Sequence, residues 1–328
     1  MKKFTKLVLV SSLAISANAM AMQTMDDASL GATTGQDGIN IGIGISKIEI
    51  EKLLIHDNDG LAATGVAGTV GSGGTGTAGA IVIKGNGIKD HANETKGIVV
   101  GANYDKNGVF LLASHNLVDL QIDSDAGAGG GNTAFINIAA QVSGLDINIG
   151  EIGVTASKGA PGAGATSIRR GGDDANYNAI LSGLAIKTGK INANIQLGAA
   201  PQGAMIKLDT VMSGGLEIKN LGILDSSTKT DKRAAGEIFI ESIKVADANS
   251  VDLTIKQNIS VMGKDDTSKG YIRMVSTSGA IDTYVKGIHL GSREATSMGD
   301  MEVQGLQTFF SPSLGVYIPG SVITISGR

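Results

Sequence analysis

The residues with the clearest capacity for chemistry form a short acidic segment, His56-Asp57-Asn58-Asp59-Gly60. It brings oxygen donors together as a calcium-binding loop does. The EF-hand pattern would also need a carboxylate at position 55, where the chain has Ile55, and a glutamate at its twelfth place. We therefore keep Asp57 and Asp59 as the calcium candidate and favour a polar turn as the interpretation.

Other chemical signals are weaker. The acidic pairs Asp173-Asp174 and Asp265-Asp266 could supply two carboxylates for glycoside cleavage, but each lies in a Gly- or Ser-rich tract typical of turns. Residues 71–76 spell GxGxxG, yet a strand-like run follows where a dinucleotide site needs a helix. The chain has no Cys, and its four His are scattered. We predict no catalytic residue, no cofactor and no metal centre beyond the calcium candidate.

The elements that position these residues are predicted to be strands. From Ile39 onward, apolar residues alternate with Gly or polar residues, a period of two. The alternation slips by one residue several times. The slipped groups are Ile43/Ile45/Ile48/Ile50, Ile147/Ile149/Ile152/Val154, Leu216/Ile218/Leu221/Ile223, Ile238/Ile240/Ile243/Val245 and Thr283/Val285/Ile288/Leu290. A slip would turn the apolar set to the other face of a straight strand, so the chain should bulge or turn a corner there.

The spacing of the slips favours a repeat. From Ile149 the slip recurs at Ile218, Ile240 and Val285, at intervals of 69, 22 and 45 residues. These intervals are close to three, one and two times a unit of about 22–23 residues, a length that suits one coil of a solenoid. The sequence thus predicts an all-β fold, an elongated β-solenoid or β-helix-like repeat with a short N-terminal capping helix. A β-sandwich is the alternative.

The N-terminus is typical of a secretory leader. Lys2, Lys3 and Lys6 precede a short apolar run, and small-x-small sites end at Ala19 and Ala21. We predict a signal peptide over 1–19, a helix and turn that cap the fold over 20–38, and a β-repeat domain over 39–328. Gly-rich loops are expected near 62–80, 123–132 and 159–174.

The charge and hydropathy of the chain limit the classes of partner and the membrane associations that we expect. Without the leader the chain carries 24 basic and 31 acidic residues, a balance that argues against nucleic acid. No later stretch is long and apolar enough for a transmembrane helix in the mature chain. Aromatic residues are only 3% of the chain, fewer than the girdles of an outer-membrane barrel would use.

One segment resembles a known family. Met22-Gln23-Thr24-Met25-Asp26-Asp27-Ala28-Ser29-Leu30, followed by Thr34-Gly35-Gln36-Asp37-Gly38-Ile39, is similar to the start of exported Gram-negative proteins of the FilA type, which are assigned to a pilus system. Beyond residue 40 the likeness is limited to the Ile- and Gly-rich alternation and includes no motif. The resemblance implies an envelope location and carries over no catalytic residue.

These observations predict a non-enzymatic structural or adhesive component of a pilus or cell-surface assembly. Its location would be the cell surface, a pilus, the outer membrane or the periplasm. The expected partners are other envelope or pilus proteins and further copies of the chain. The alternatives are a secreted β-helix enzyme acting on polysaccharide and an outer-membrane β-barrel.

Overall fold

A computed structural model describes residues 38–62, 73–266 and 269–327. The predicted signal peptide, nearly all of the predicted cap and part of the first glycine tract lie outside the described residues. The described chain confirms the all-β class. It forms 22 strands and a single helical turn, α1 (Asp105–Gly108). None of its helices has the length and apolar character needed to cross a membrane.

Two large sheets contain nearly all of the strands. Sheet A has eight strands: β1 (Ile39–Ile43), β6 (Val118–Asp125), β7 (Phe135–Val142), β12 (Ile191–Gly198), β13 (Ile206–Met212), β16 (Leu253–Met262), β17 (Tyr271–Ser276) and β22 (Ser321–Ile325). Sheet B has twelve strands: β2 (Lys47–Ile50), β3 (Leu53–His56), β4 (Gly79–Lys84), β5 (Ile98–Ala102), β8 (Leu145–Ile149), β9 (Glu151–Ser157), β10 (Gly172–Leu181), β11 (Leu184–Lys187), β14 (Leu216–Asp225), β15 (Gly236–Asp247), β18 (Ile281–Gly291) and β19 (Gly299–Leu306). A small hairpin pairs β20 (Phe309–Phe310) with β21 (Ile318–Pro319).

The chain crosses between the two sheets in eight passes. In order, the passes are β1–β3, β4–β6, β7–β9, β10–β12, β13–β14, β15–β16, β17–β18 and β19–β22. Each of passes 2 to 7 pairs antiparallel with the pass before it and the pass after it in both sheets, and passes 1 and 8 each pair with one neighbour. The architecture is therefore a meander in which consecutive passes are neighbours, as is usual for strands joined by hairpins.

This order gives the predicted repeat a different form. Stacked solenoid coils would place successive turns parallel, and no such coil is seen in the part of the chain that the structure describes. The repeated unit is the pass. Because alternate passes run in opposite directions, the distance along the chain between equivalent points depends on which hairpin joins them. Ile218 in β14 and Ile240 in β15, which are 22 residues apart, lie on the two strands of one such hairpin.

Three of the five slips coincide with a strand break or a positive φ. In pass 3 the strand breaks at the slip, between β8 and β9, whereas β15 runs through its slip without a break. In β14 and β18 the strand continues, but Asn220 and Gly287 take positive φ of 56° and 67°. The first slipped group is an exception. Ile45 lies in the connection from β1 to β2, where pass 1 leaves sheet A for sheet B.

Buried polar side chains hold the junction between the sheets. The side-chain amide of Asn103 donates to the Thr188 carbonyl at 3.0 Å, and the Thr188 hydroxyl accepts from the Leu145 amide at 2.9 Å. Ser143, fully buried, donates to the Asn116 carbonyl at 2.7 Å and accepts from the Leu112 amide at 3.0 Å. These side chains satisfy backbone groups that the ladder leaves unpaired where passes 2, 3 and 4 change sheet.

The glycine-rich tracts fall at the connections between passes. Residues 126–134 connect passes 2 and 3, and residues 158–171 connect passes 3 and 4. The predicted tracts were longer than these loops. Asp123 is part of β6, and Asp173 and Asp174 are part of β10, so the expectation that this acidic pair lies in a loop was wrong. Both residues are exposed and lie where the register of β10 with β9 shifts, between Gly172 and Tyr177.

Candidate functional site

The surface best suited to a function is built from rows of side chains that run across the passes. Residues directly opposite in neighbouring strands lie on the same face of a sheet. Following the pairings of sheet B from pass 1 to pass 8 gives one row with charged residues. Its members are Lys47, Gly101, Asp146, Lys187, Glu217, Lys244, Tyr284 and Glu302. We call this set the charged row.

The charges alternate along the middle of the charged row. The Lys187 ammonium lies 3.5 Å from the Asp146 carboxylate, and the Lys244 ammonium lies 3.9 Å from the Glu217 carboxylate. Burial disfavours the charge on Lys187, but its hydrogen bond to Asp105 and the nearby Asp146 outweigh this and raise the pKa of the ammonium. The row begins with a cation, Lys47, and ends with an anion, Glu302, one on each outermost pass.

Two further rows are apolar. One lies in sheet A, and the other lies in sheet B on the face opposite to the charged row. The apolar row of sheet A contains Ile39, Ile122, Ile138, Ile195, Ile206, Ile259, Met274 and Ile323. The apolar row of sheet B, next to the charged row, contains Ile48, Val100, Ile147, Ile186, Ile218, Ile243, Val285 and Met301. Both rows cross all eight passes without a polar residue.

A third apolar row crosses the far part of sheet B, beyond the slips. It contains Leu53, Ile83, Ile152, Leu181, Ile223, Ile238 and Leu290. In passes 3, 5, 6 and 7 a slip separates the two apolar rows of sheet B, and both rows stay in register from strand to strand. The alternation in the sequence reflects these rows, whereas their continuity depends on the pairing.

The rows of sheet A and sheet B end on exposed side chains. Ile39 is 61% exposed and Ile323 is 50% exposed, at the two ends of the sheet A row. Ile48 and Met301, at the two ends of the sheet B row, are 39% and 48% exposed. Interior members such as Ile195 and Ile218 are partly covered by their neighbours, and Val285 is buried. Within these two rows the exposed side chains are therefore those of the two outermost passes.

The outermost strands of sheet A are open edges. In the described chain β1 pairs only with β6, and β22 pairs only with β17. Their sequences, INIGI and SVITI, contain no charge and no Pro. Folded proteins usually protect such edges with Lys, Pro, a bulge or a covering element, because an open edge can pair with another chain. We name these strands the first edge and the last edge of the meander.

A second cluster of polar groups is structural in character. The Glu237 carboxylate accepts from the Arg293 guanidinium at 2.8 and 3.2 Å and from the Ser182 hydroxyl at 2.7 Å. Burial raises the pKa of this carboxyl, but these hydrogen bonds outweigh burial and hold the pKa below its usual range. Arg293 also lies over the Phe239 ring, 5.0 Å from its centre. The cluster attaches the turn after β18 to β15 and uses the carboxylate as an acceptor.

The calcium candidates lie together in one turn after β3. The Asp59 amide is 3.4 Å from a carboxylate oxygen of Asp57, and the Asn58 side chain accepts from Arg170 at 2.6 Å. Within the described ranges, no group of three or more His, Cys, Asp or Glu residues is arranged to hold a metal ion. An arginine from the loop between β9 and β10 thus anchors this segment.

The sequence reasoning missed the charged row and the two open edges. Neighbouring members of the charged row are 18 to 54 residues apart in the chain, so no local pattern groups them. The signal that was available is the absence of charge in 39–43 and 321–325. That absence becomes meaningful only when both segments are known to be outermost strands.

Comparison with known proteins adds one finding. Residues 1–105 match the model of a family of unknown function, DUF6160. The match covers about a third of the chain and ends within α1. No curated protein and no solved structure matches the chain.

Proposed function

We propose that the chain is an exported, non-enzymatic structural or adhesive component of a pilus or cell-surface assembly. The observation that carries the proposal is the pair of open, uncharged edges at β1 and β22. A sheet with such edges adds strands from a partner through backbone hydrogen bonds, which is a common mode of protein assembly. The apolar rows of sheets A and B, which end exposed at these edges, supply surface for burial.

Three features of the sequence support the envelope location. The leader over 1–19 has the charge, apolar run and small residues of a secretory signal. The chain has no Cys, so export to an oxidising compartment creates no risk of wrong disulfides. The segment from Met22 to Ile39 resembles the start of FilA-type proteins of a pilus system.

The finer architecture also belongs to this proposal. The sequence predicted an elongated solenoid repeat; we propose that the eight antiparallel passes, spaced laterally by about 4.8 Å per strand, form the rigid body of this component. An assembly built on the two edges would extend this repeat beyond one chain. Rigidity would come from continuous backbone ladders, and the loops between passes would be available for contacts with other envelope proteins.

Cell fractionation tests the proposal. Cells that produce the chain are sheared, and the sheared material, outer membrane, periplasm and cytoplasm are probed separately for it. We expect a processed chain in the sheared or outer-membrane fraction. A control variant, Leu9→Arg, interrupts the apolar run of the leader and should leave the chain in the cytoplasm. Wild-type chain that retains Met1 and stays in the cytoplasm would contradict the proposal.

A further inference from the structure

The direction of the outermost passes suits pairing between copies. The eight passes alternate in direction, so pass 1 and pass 8 run opposite to each other. If a second copy is related to the first by translation along the rows, its pass 1 lies beside pass 8 of the first copy. An even number of passes makes these two passes antiparallel, and the alternation of the whole meander continues across the contact.

The side chains at the two ends are complementary as well. Across such a contact the apolar row of sheet A would continue from Ile323 to Ile39 of the next copy. The apolar row of sheet B would continue from Met301 to Ile48. The charged row would continue from Glu302 to Lys47, a pairing of opposite charges that extends the alternation seen between Asp146 and Lys244.

We infer that the partner of the last edge is the first edge of a second copy of this chain, with β22 beside β1 and β19 beside β2. The contact joins two different surfaces, so each added copy leaves one open edge at either end and the assembly grows head to tail. This inference deepens the proposed function and rests on it for the place where assembly occurs.

The hairpin of β20 and β21 adds apolar surface at the same end. It interrupts pass 8 between β19 and β22, and its residues Phe309, Leu314 and Tyr317 are exposed. A cluster of exposed aromatic and aliphatic side chains next to an open edge is typical of a contact surface. A second copy on the last edge would cover part of this hairpin together with β22.

The first experiment uses the purified chain without the predicted leader 1–19. Its association is measured by sedimentation velocity over a wide range of protein concentration. We expect a series of oligomers whose average size increases with protein concentration. Two variants close one edge each: Ile39→Lys on β1 and Ile323→Lys on β22. Each places a charge in an apolar row at the contact and should weaken association at least about tenfold. Circular dichroism shows whether each variant keeps the native β-sheet.

Leu197→Lys is the matched control. Leu197 lies in β12 of the same sheet, and its exposure, 48%, is close to that of Ile323, but β12 pairs on both sides. The control variant should associate like the wild-type chain. Association of the Ile39→Lys and Ile323→Lys variants at the wild-type level would overturn the inference.

An equimolar mixture of the two edge variants identifies the geometry. The Ile39→Lys variant keeps its last edge, and the Ile323→Lys variant keeps its first edge, so the mixture should form dimers and nothing larger. A mixture that stays monomeric overturns the inference. Homodimers of either variant alone would show that like edges pair, which also overturns it.

Charge exchange tests the register. Lys47→Glu and Glu302→Lys each place like charges at the contact and should weaken association roughly threefold to tenfold. The double variant restores an opposite pair and should recover most of the wild-type affinity. Equal affinity in all four proteins would contradict the alignment of β2 with β19.

The outcomes separate the inference from the proposed function. A wild-type chain that is monomeric at all concentrations, yet is found in sheared surface material, overturns self-assembly and leaves the envelope role intact. A monomeric wild-type chain whose deletion variant without residues 22–37 polymerises would show that its own N-terminal segment occupies the first edge. That result would also overturn the inference.

Discussion

The Lys187 ammonium donates to both carboxylate oxygens of Asp105, at 2.9 and 2.8 Å, and attaches the turn α1 to the charged row of sheet B. The hydrogen bond from Lys187 is the main reason why the pKa of Asp105 lies below its usual range. The pair lies where pass 2 leaves sheet B, close to the buried Asn103. The charged row thus contributes to the sheet junction as well as to the surface.

Replacing Lys187 with Met tests this contribution. The variant loses the contacts to Asp105 and Asp146 but keeps most of the side-chain volume. We expect a loss of about 1 kcal/mol in the free energy of unfolding, because the pair is partly exposed and solvent screens it. Urea denaturation measures the loss. Lys244→Met, at a more exposed site in the same row, should change stability by less than about 0.5 kcal/mol.

The Glu237 cluster predicts a dependence of stability on pH. Hydrogen bonds from Arg293 and Ser182 hold the pKa of Glu237 below its usual range in the folded chain. As the pH falls through the ordinary range of a glutamate, the unfolded chain takes up a proton that the folded chain does not. The stabilisation is therefore complete above that range and is lost as the pH falls through the lowered pKa.

Glu237→Gln isolates this effect in urea denaturation series at falling pH. The wild-type curve should lose stability between neutral and acidic pH, and the variant should lose less over the same interval. At neutral pH the variant should be less stable by roughly 1–3 kcal/mol, because Arg293 loses its charged acceptor. Glu294→Gln, in the adjoining turn, is the control. Parallel curves for the wild-type chain and Glu237→Gln would contradict the prediction.

The bend in β18 depends on a glycine. Gly287 takes a φ of 67°, and a Cβ at this position would overlap the Glu241 side chain. Gly287→Ala should therefore cost about 1–2 kcal/mol in the free energy of unfolding, measured by thermal or urea denaturation. Gly236→Ala, in β15, has open space and no positive φ, and should be neutral. Equal effects of the two substitutions would argue against a strained bend.

The slipped pattern also predicts where a charge is not tolerated. Ile240 pairs with Leu221 and Ile288 beside the bend and is partly buried between them. Ile240→Asp should lower the free energy of unfolding by about 2–3 kcal/mol, because a carboxylate there loses hydration without a partner. Val251→Asp, at an exposed turn position, is the control. An unchanged melting temperature for Ile240→Asp would contradict the pairing of these strands.

Several features of the fold could be predicted from local sequence. The alternation from Ile39 onward correctly indicated β-strands, and three of the five slips coincide with a strand break or a positive φ, at Gly150, Asn220 and Gly287. The glycine-rich tracts near 123–132 and 159–174 overlap the connections at 126–134 and 158–171, although Asp173 and Asp174 belong to β10. These features depend on the conformational preferences of a few adjacent residues, which is why the sequence reveals them.

The sequence by itself determined the strands, their bends and the faces on which apolar residues gather, since side-chain alternation and backbone preference act over a few residues. Only the tertiary structure decided which strands are neighbours. A period of two fits stacked coils and an antiparallel meander equally well, and the choice depends on hairpins and on pairing between distant segments. That choice places Lys47 and Glu302 at opposite ends of one row and leaves β1 and β22 as the open edges.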